Sequence, residues 1–337
     1  MKIKRTELLE VLSDVKPALA SKDIIEQTDC IIFTEGKVCS YNDEISISRP
    51  LDLGLQGAVR ADELFSFLSK SKEDEIDVYI EEGQLRIREK KGGKAWVVVQ
   101  EEITIPFDEM GTPENWVKVP DNFLEAIKFC VFSASTDMTK PILTCLLVSN
   151  TNVLSCDNFR LTQFNLSKSK AFKKPVLLPA FAAKELVKYN VVEYAETEGW
   201  VHFRNAQGTI FSARVFMEEY PDVSFLIDVK GFAFEIPEAA QEILELVSIF
   251  TKGDFSSDEY ATVTLQKGSM SFQGENKYGG YFKRCKASSY KDDKEISFMV
   301  NPSFLRDILE HLKDVTIGKT SLKFEGEKFI HVVCLNV

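Results

Sequence analysis

The sequence predicts an α+β protein made of three tandem similar domains, each with two helices and antiparallel sheets. Three observations favour this class: amphipathic segments recur at a nearly constant interval, the same order of strands and a second helix follows each, and turn-forming residues collect where copies would join. With 337 residues, the chain is long enough for two or three domains that each bury a core.

The first helix of each copy is predicted from apolar residues that recur on one helical face. In the first copy these run from Leu8 to Leu19. The three segments begin near Thr6, Asp121 and Glu238, so that successive starts are 115 and 117 residues apart. Three copies of one unit therefore fit the chain.

A pair of short strands follows each first helix. Apolar runs rich in β-branched residues flank polar turns, which is the pattern of a hairpin. The predicted turns lie at Glu35–Gly36, Asn150–Asn152 and Lys267–Gly268.

A second helix and a second hairpin complete each copy. The helices are predicted to begin after Val59, Leu178 and Val300, and Asn301 before Pro302 reads as an N-cap with proline in the first turn. The second hairpins turn at Glu82–Gly83, Gln207–Gly208 and Gly326–Glu327.

Two clusters of turn-forming residues predict the domain boundaries. They lie at Met110–Asn115 and at Asp228–Gly231, and their spacing matches that of the helices. The predicted domains are therefore 1–113, 114–229 and 230–337. The alternative is that both clusters are ordinary surface loops.

The composition limits the classes of function. With 52 acidic against 41 basic residues the net charge is −11, which argues against a protein that holds nucleic acid by bulk positive charge, although a local basic lining remains compatible. Seven cysteines, without a C-x-x-C pair and with only 3 histidines, predict reduced core thiols and no zinc site, disulfide framework or cofactor. Neither an apolar leader nor a membrane-length apolar window occurs, so a cytoplasmic protein is predicted.

Catalytic motifs of the phosphate-binding, zinc-protease and serine-hydrolase types are missing from the sequence. An enzyme would have to use Asp157, Arg160 and Glu219 at a domain cleft. Paired Asp and Arg near a strand end are more often a structural ion pair. The sequence therefore favours a binding or scaffold protein that is not an enzyme.

Five short segments, in their order along the chain, carry a resemblance to a known family. They are the opening Met1–Ile3, the stretch Leu154–Leu161 that reads L-S-C-D-N-F-R-L, Val176–Pro179, Tyr220–Asp222, and the apolar end Val332–Val337. The chain resembles the bacterial beta sliding clamp, the beta subunit of DNA polymerase III, over essentially its whole length. Departures such as Asn158–Phe159 in place of the family's Gly-His pair fit a divergent member, for example from a phage or another mobile element.

The resemblance implies a DNA clamp fold and a head-to-tail ring of two identical subunits. It implies a processivity factor that encloses duplex DNA without sequence preference, tethers DNA polymerase and other replication or repair proteins through a peptide-binding pocket, and is opened by a clamp loader. No cofactor, metal or membrane is implied. A clamp-like scaffold that has lost DNA binding is the main alternative.

The resemblance also assigns residues to three surfaces. The peptide-binding pocket would be walled by Ile142, Cys156, Asn158, Phe159, Arg160, Leu161, Pro221, Leu226, Val332, Val333 and Leu335. The dimer interface would place Trp96 and Val98 of one subunit against Ile249 and Phe250 of the other. DNA would be contacted by Lys22, Lys140, Lys168, Lys170, Lys173 and Lys174.

Each assignment has a plainer alternative. The pocket and interface residues could be ordinary core residues, and the run from Ser167 to Lys174 could be a solvated loop. The segments Thr6–Ala20 and Glu238–Lys252 each carry a net charge of −2. Two basic positions of the family are Asp62 and Ala180 here, which lowers the expected strength of DNA contact.

Overall fold

The computed structural model describes residues 1–20, 25–34, 36–252 and 259–336. The chain packs into two compact units. Unit 1 comprises Met1–Lys128, Val148–Asn150 and Ser167–Glu218, and unit 2 comprises Phe129–Leu147, Thr151–Leu166 and Glu219–Val337. This grouping does not test the division into three domains, which stays a prediction.

The described residues form six α-helices: α1 (Arg5–Val15), α2 (Ala61–Lys70), α3 (Phe123–Cys130), α4 (Ala180–Leu186), α5 (Ala239–Ile249) and α6 (Pro302–Leu309). Their strands are β1 (Lys2–Lys4), β2 (Cys30–Thr34), β3 (Lys37–Tyr41), β4 (Ile45–Pro50), β5 (Gly57–Arg60), β6 (Glu75–Glu81), β7 (Gln84–Glu89), β8 (Lys94–Gln100), β9 (Val117–Lys118), β10 (Cys145–Val148), β11 (Asn152–Cys156), β12 (Arg160–Asn165), β13 (Val176–Pro179), β14 (Val191–Thr197), β15 (Trp200–Asn205), β16 (Ile210–Arg214), β17 (Phe232–Glu235), β18 (Ala261–Gln266), β19 (Gly268–Asn276), β20 (Gly279–Ala287), β21 (Ile296–Val300), β22 (Asp314–Ile317), β23 (Ser321–Glu325) and β24 (Phe329–Cys334).

Unit 1 is built around a twelve-stranded sheet in the order β1-β6-β7-β8-β5-β2-β3-β4-β16-β15-β14-β9. Strands β4 and β16 pair antiparallel, with Ile45 opposite Ala213, and so join the strands of the first predicted domain to those of the second. The buried face of α1, including Leu8 and Leu12, packs toward β3 and β4. Burial of this apolar face supplies most of the stability of such a helix.

Unit 2 contains two sheets. In the first, strands β10, β11, β12, β24, β23, β22 and β17 lie side by side in that order, and the second has the order β20-β19-β18-β21. Helices α5 and α6 pack together, and α5 also contacts β19 and β20. Asn301 caps α6, since its side chain accepts hydrogen bonds from the amides of Ser303 and Phe304.

The elements predicted from the sequence repeat are confirmed. Helices α1, α3 and α5 begin within two residues of the predicted starts, and α2, α4 and α6 follow the predicted second positions. The described turns lie where hairpins were predicted, with Gly36, Gly83, Gly208 and Gly268 at positive φ, where glycine is the favoured residue. Glu35 lies outside the described residues.

The cysteines follow the prediction of core thiols in part. Five of the seven are buried, whereas Cys285 is half-buried and Cys334 is exposed. For Cys334 the prediction was wrong, because this residue points away from the core at the end of β24. No helix among the described residues has both the length and the apolar character needed to cross a membrane.

Candidate functional site

Three apolar residues of β11 and β12 form the floor of the predicted pocket in unit 2. Leu154, Cys156 and Leu161 are at most 7% exposed and form one buried cluster. Strand pairing places Cys156 opposite Leu161, so both lie at the end of this hairpin. Leu154, Cys156 and Leu161 are called the apolar floor below.

The segment Tyr220–Ile227, called the strap below, covers the apolar floor. Its residues Tyr220, Val223 and Ile227 pack against the floor together with Leu143 and Leu147. These three residues therefore lie on the side of the strap that faces the floor.

The other side of the strap is exposed. Phe225 is 72% exposed and Leu226 is 38% exposed, and both lie in the short 3-10 helix Ser224–Leu226. The carboxylate of Asp222 accepts a hydrogen bond from the Ser224 amide. Hydrogen bonding from the Ser224 side chain, followed by that from its backbone, lowers the pKa of Asp222. The strap therefore presents apolar side chains both to the floor and to solvent.

The Tyr220 hydroxyl joins the strap to the strand beneath it. The backbone N–H of Cys156 donates to the Tyr220 hydroxyl at 3.0 Å, and the Cys156 Sγ lies 3.3 Å from the same oxygen. Burial raises the pKa of the Tyr220 phenol and that of the Cys156 thiol, so both groups stay neutral at neutral pH. This bond satisfies a buried backbone donor at the end of β11.

Arg160 forms two ion pairs and a cation–π contact with residues of unit 2. Its guanidinium lies 3.3 Å from the Asp157 carboxylate and 3.1 Å from that of Asp307, and it stacks 4.1 Å above the Phe304 ring. Only 12% of its side chain is exposed. The structural ion pair considered for Asp157 and Arg160 is therefore present, and this geometry disfavours the enzyme alternative.

The remaining predicted wall residues differ in exposure. Asn158, Pro221 and Leu226 are exposed, Ile142, Phe159, Arg160 and Leu335 are half-buried, and Cys156, Leu161, Val332 and Val333 are buried. Strand β24 lies beside β12 and brings Val332 and Val333 to the buried floor. Its pairing places Val333 opposite Arg160 and Val332 opposite Leu161. All eleven residues belong to unit 2.

Leu335 also lines a separate cavity of about 290 Å³ in unit 2. Residues of β21, the segment 317–319 and Asn336 form the rest of its lining. The chain end is fixed there by two backbone bonds, from the Leu335 amide to Thr320 and from the Asn336 amide to Met299. The C-terminal residues thus lie between the predicted wall and this cavity.

Sequence reasoning missed part of the cluster. Leu143 and Leu147, the floor residue Leu154, and the strap residues Val223 and Ile227 were not assigned to the pocket, although they pack with residues that were. The helical spacing of apolar residues from Tyr220 to Ile227 was a usable signal.

Strand β8 of unit 1 carries two exposed apolar residues. Trp96 is 63% and Val98 is 66% exposed. Their neighbours Ala95 and Val97 pair with the buried residues of β7, so Trp96 and Val98 point to the outward face of the sheet. Within the described residues, Lys94–Val98 pair only with β7, which leaves an open strand edge.

Strand β20 is an open edge of unit 2. It is the terminal strand of the four-stranded sheet, and its outward residue Phe282 is 57% exposed. On the opposite face Tyr281 stacks on Phe250 at 6.4 Å with nearly parallel rings. Ile249, at the end of α5, is 55% exposed. The alternative that all four predicted interface residues are core residues is not supported by these exposures.

Four of the predicted DNA-contacting lysines lie on one anchored loop of unit 1. Lys168, Lys170, Lys173 and Lys174 are exposed, and within the described part of the chain none of them forms an ion pair. Between the two pairs, Phe172 is only 2% exposed, adopts φ of 53° and packs 5.1 Å from Phe123.

The ends of this loop are fixed as well. The Ser167 amide donates to the Asn122 side chain at 2.8 Å, and the Ser169 hydroxyl donates to the Lys118 carbonyl at 3.0 Å. The loop, defined as Ser167–Lys174 and called the basic loop below, is therefore held in place while its lysines face solvent.

The other two predicted lysines are not part of the basic loop. Lys140 belongs to unit 2, where its Nζ donates to the Asn158 side chain at 3.0 Å, at the rim of the predicted pocket. Lys22 lies outside the described residues. The structure therefore groups four of the six lysines.

Comparison with known proteins gives matches among solved structures only. No protein-family model and no curated protein sequence matches the chain. The DNA polymerase III subunit beta of Pseudomonas aeruginosa matches with a TM-score of 0.85 at 14% identity, over 100% of this chain and 99% of that one.

Two further matches are similar in extent. The DNA polymerase sliding clamp of Bacillus subtilis has a TM-score of 0.84 at 17% identity, over 100% of this chain and 98% of that one. The Helicobacter pylori beta clamp bound to a DNA ligase peptide has a TM-score of 0.82 at 15% identity, over 100% and 99%. As the resemblance in sequence predicted, the chain has the fold of the DNA polymerase III beta subunits, the sliding clamps.

Proposed function

We propose that this protein is a DNA sliding clamp, a non-enzymatic processivity factor that encloses duplex DNA and tethers DNA polymerase and other replication or repair proteins. The observation that carries the proposal is the match of fold over essentially the full length of known clamps, at TM-scores of 0.81 to 0.85. A clamp loader would open the ring, and the protein would act in the cytoplasm, where bacterial DNA lies. No cofactor takes part in this function.

The peptide-binding pocket is proposed at the apolar floor and the strap. The Helicobacter pylori clamp that shares this fold was solved with a DNA ligase peptide, which supports peptide recognition as the mode of tethering. Here an aliphatic floor, the exposed Pro221 and Leu226 and the half-buried Phe159 suit an extended peptide with apolar anchors. Arg160 would shape the pocket and contribute little charge, because two carboxylates already neutralise it.

Ring closure is proposed to pair the edge of β8 with the edge of β20 in a second copy. An open edge with exposed aromatic residues is an aggregation risk unless it is covered, and pairing two such edges head to tail covers both. Two copies related by a two-fold axis would close both seams.

The faces of the two edges indicate which residues would meet in this seam. Trp96 and Val98 point outward from their sheet, whereas Tyr281 and Phe250 lie on the inner, helix-covered face of theirs. If the faces align on pairing, Trp96 and Val98 meet the outward residue Phe282 of the second copy. Ile249 and Phe250 then meet the inner residues of β8, and the seam has two apolar layers.

Contact with DNA is proposed for the basic loop. Its four exposed lysines can neutralise phosphates in a sequence-independent way, and so few contacts would let the protein slide. Lys140 and Lys22 are proposed as additional contacts. Retention on DNA would come from topology, because the ring encloses the duplex.

One observation favours the alternative of a clamp-like scaffold without DNA binding. A cleft between α5 and α6 is lined by Glu238, Glu242, Glu245 and Glu310 beside Arg306. Helices that face enclosed DNA would be expected to carry fewer acidic side chains, since phosphates repel carboxylates.

Loading onto circular DNA separates the clamp from the scaffold. The wild-type protein, loaded by the clamp loader of its host onto nicked circular DNA, should remain bound through gel filtration and be released when a restriction enzyme linearises the circle. Trp96→Glu is the matched control, which should fail to stay on the circle because the ring does not close. Retention after linearisation would contradict topological binding, and failure to load at all would favour the scaffold.

A further inference from the structure

Some residues assigned to the peptide-binding pocket are not accessible in the structure. Cys156 is 3% exposed and Leu161 is 1% exposed. An extended peptide contacts only surface that is accessible to it. Either these two residues support the pocket from beneath, or the groups that cover them move when a peptide binds.

The strap is what covers them. Tyr220, Val223 and Ile227 pack on the floor that contains Cys156 and Leu161. The strap belongs to no strand of either sheet, and its backbone bonds are local, from Leu226 to Val223 and from Ile227 to Ser224.

Within the described residues, the hydrogen bonds between the strap and the floor all involve the Tyr220 hydroxyl, which accepts from the Cys156 amide at 3.0 Å and lies 3.3 Å from the Cys156 Sγ. A segment with local backbone bonds, tied to its neighbours by the hydroxyl of one side chain, is expected to open at a lower free energy than the sheet on which it lies.

We propose that the strap closes the peptide-binding pocket in the free protein, and that the Cys156–Tyr220 hydrogen bond sets how often it opens. The proposal rests on the proposed function, since it concerns the pocket of a clamp. Binding would then depend on the fraction of open molecules, because the apparent affinity of a ligand falls in proportion to the population that can accept it.

Opening would also define the class of peptide that binds. When the strap opens, the Tyr220 hydroxyl moves away from Cys156, and the Cys156 N–H becomes a free donor at the end of a strand. The floor then also loses its packing contacts with Val223 and Ile227. An extended peptide replaces both by offering a backbone carbonyl to the amide and a branched or aromatic side chain to the floor. Tyr220 is thus a specificity-determining residue, because it occupies the place of that carbonyl.

The test compares Tyr220→Phe with the matched control Tyr290→Phe. Both remove a tyrosine hydroxyl from unit 2, and the hydroxyl of Tyr290 donates to the Lys294 carbonyl outside the floor and strap. One readout is the affinity for a fluorescein-labelled peptide that carries a polymerase clamp-binding motif. The other is hydrogen exchange at the Cys156 amide in the full-length protein without peptide.

Tyr220→Phe should speed exchange at Cys156 and tighten peptide binding by about threefold to tenfold, the range that loss of one ordinary hydrogen bond predicts, while Tyr290→Phe should change neither. Unchanged exchange, or binding that weakens in Tyr220→Phe, would overturn the proposal and make Tyr220 a fixed wall. If exchange speeds up while wild type and variant both fail to bind peptide, the strap opens as inferred and the failure lies with the proposed function.

Discussion

The apolar floor and the open edges of β8 and β20 are both apolar surfaces with proposed partners, yet the fold treats them in opposite ways. The floor residue Leu161 is 1% exposed beneath the strap, whereas Trp96 on β8 is 63% exposed. The strap shields the floor from water within one chain. Nothing among the described residues shields the edge.

This difference indicates how each surface would meet its partner. Burial of the floor within the chain would make the proposed peptide binding an exchange, in which the strap is replaced by a ligand. An exposed edge has no internal competitor, so the proposed second copy would add buried apolar area without displacing anything. The floor suits transient partners and the edge suits a stable one.

The largest difference between the two regions should appear when a charge is placed in each. Leu161→Asp buries a carboxylate under the strap and should destabilise the protein by about 3 kcal/mol or more. Leu226→Asp, at a position 38% exposed on the outer side of the strap, should change stability by about 0.5 kcal/mol or less. Urea unfolding followed by circular dichroism measures both. Equal stability of the two variants would show that the strap does not exclude water from the floor.

The edge should respond in association and not in folding. Trp96→Glu should leave the urea midpoint of the dissociated subunit unchanged, because the side chain is exposed, and should weaken the dimer by about a hundredfold, the effect of losing an aromatic anchor of an interface. Sedimentation equilibrium over micromolar concentrations measures this. Met138→Glu is the control, since Met138 is 71% exposed but lies on neither edge. A dimer that survives Trp96→Glu would refute the seam at β8.

A double-mutant cycle with alanine sharpens the assignment of the two layers. If Trp96 meets Phe282 across the seam, the double variant Trp96→Ala with Phe282→Ala should weaken the dimer less than the sum of the single variants, because alanine introduces no new charge pair. The same cycle between Trp96 and Ile249 should be additive. The reverse result would place Trp96 against α5, as the resemblance in sequence implied.

The basic loop is a third exposed surface. It differs from the floor and the edges because its proposed partner is bound through charge and not through apolar contact. Replacing Lys168, Lys170, Lys173 and Lys174 by alanine should reduce the slope of log affinity for duplex DNA against log salt by up to about 3 or 4, without loss of stability. Fluorescence anisotropy at several salt concentrations measures the slope. The control replaces four exposed lysines elsewhere, Lys90, Lys291, Lys294 and Lys319. An equal change in the control would show that net charge alone matters.

The smallest effect expected is the pH dependence of the core next to the floor. His331 on β24 is fully buried, its Nδ1 lies 2.8 Å from the Thr162 hydroxyl, and burial followed by the nearby Arg160 charge lowers its pKa to about 3. An unfolded histidine titrates near 6.5, so between about pH 6.5 and 3 the unfolded chain binds the extra proton. Stability linked to His331 is therefore present above pH 6.5 and falls as the pH drops.

The loss amounts to roughly 1 kcal/mol per pH unit below pH 6.5. His331→Gln should remove this part of the slope when urea unfolding is compared at pH 7 and pH 5. His202, whose pKa burial lowers to about 4, remains in both proteins as an internal reference in unit 1. Identical slopes for wild type and variant would show that water reaches the ring of His331.

Much of the fold could be predicted from the sequence because its signals are local. The spacing of apolar residues placed α1, α3 and α5, and the N-cap at Asn301 placed α6. Turn residues placed the hairpins for the same reason, since a positive φ at glycine is a property of the backbone at one residue. The candidate site was predicted less well. Leu161 and Leu226 were both assigned to the pocket wall, although Leu161 is buried beneath the strap and Leu226 lies on its exposed outer side.

The sequence by itself determined the repeat, the order of helices and hairpins, and the chemical character of each candidate surface, because residue type and spacing express these properties directly. Only the tertiary structure decided which apolar residues are covered, which strand edges stay open, and that Arg160 is neutralised by Asp157 and by the distant Asp307. Coverage and pairing depend on segments far apart in the chain, such as the strap and the floor. Their proximity follows from packing, which no local pattern encodes.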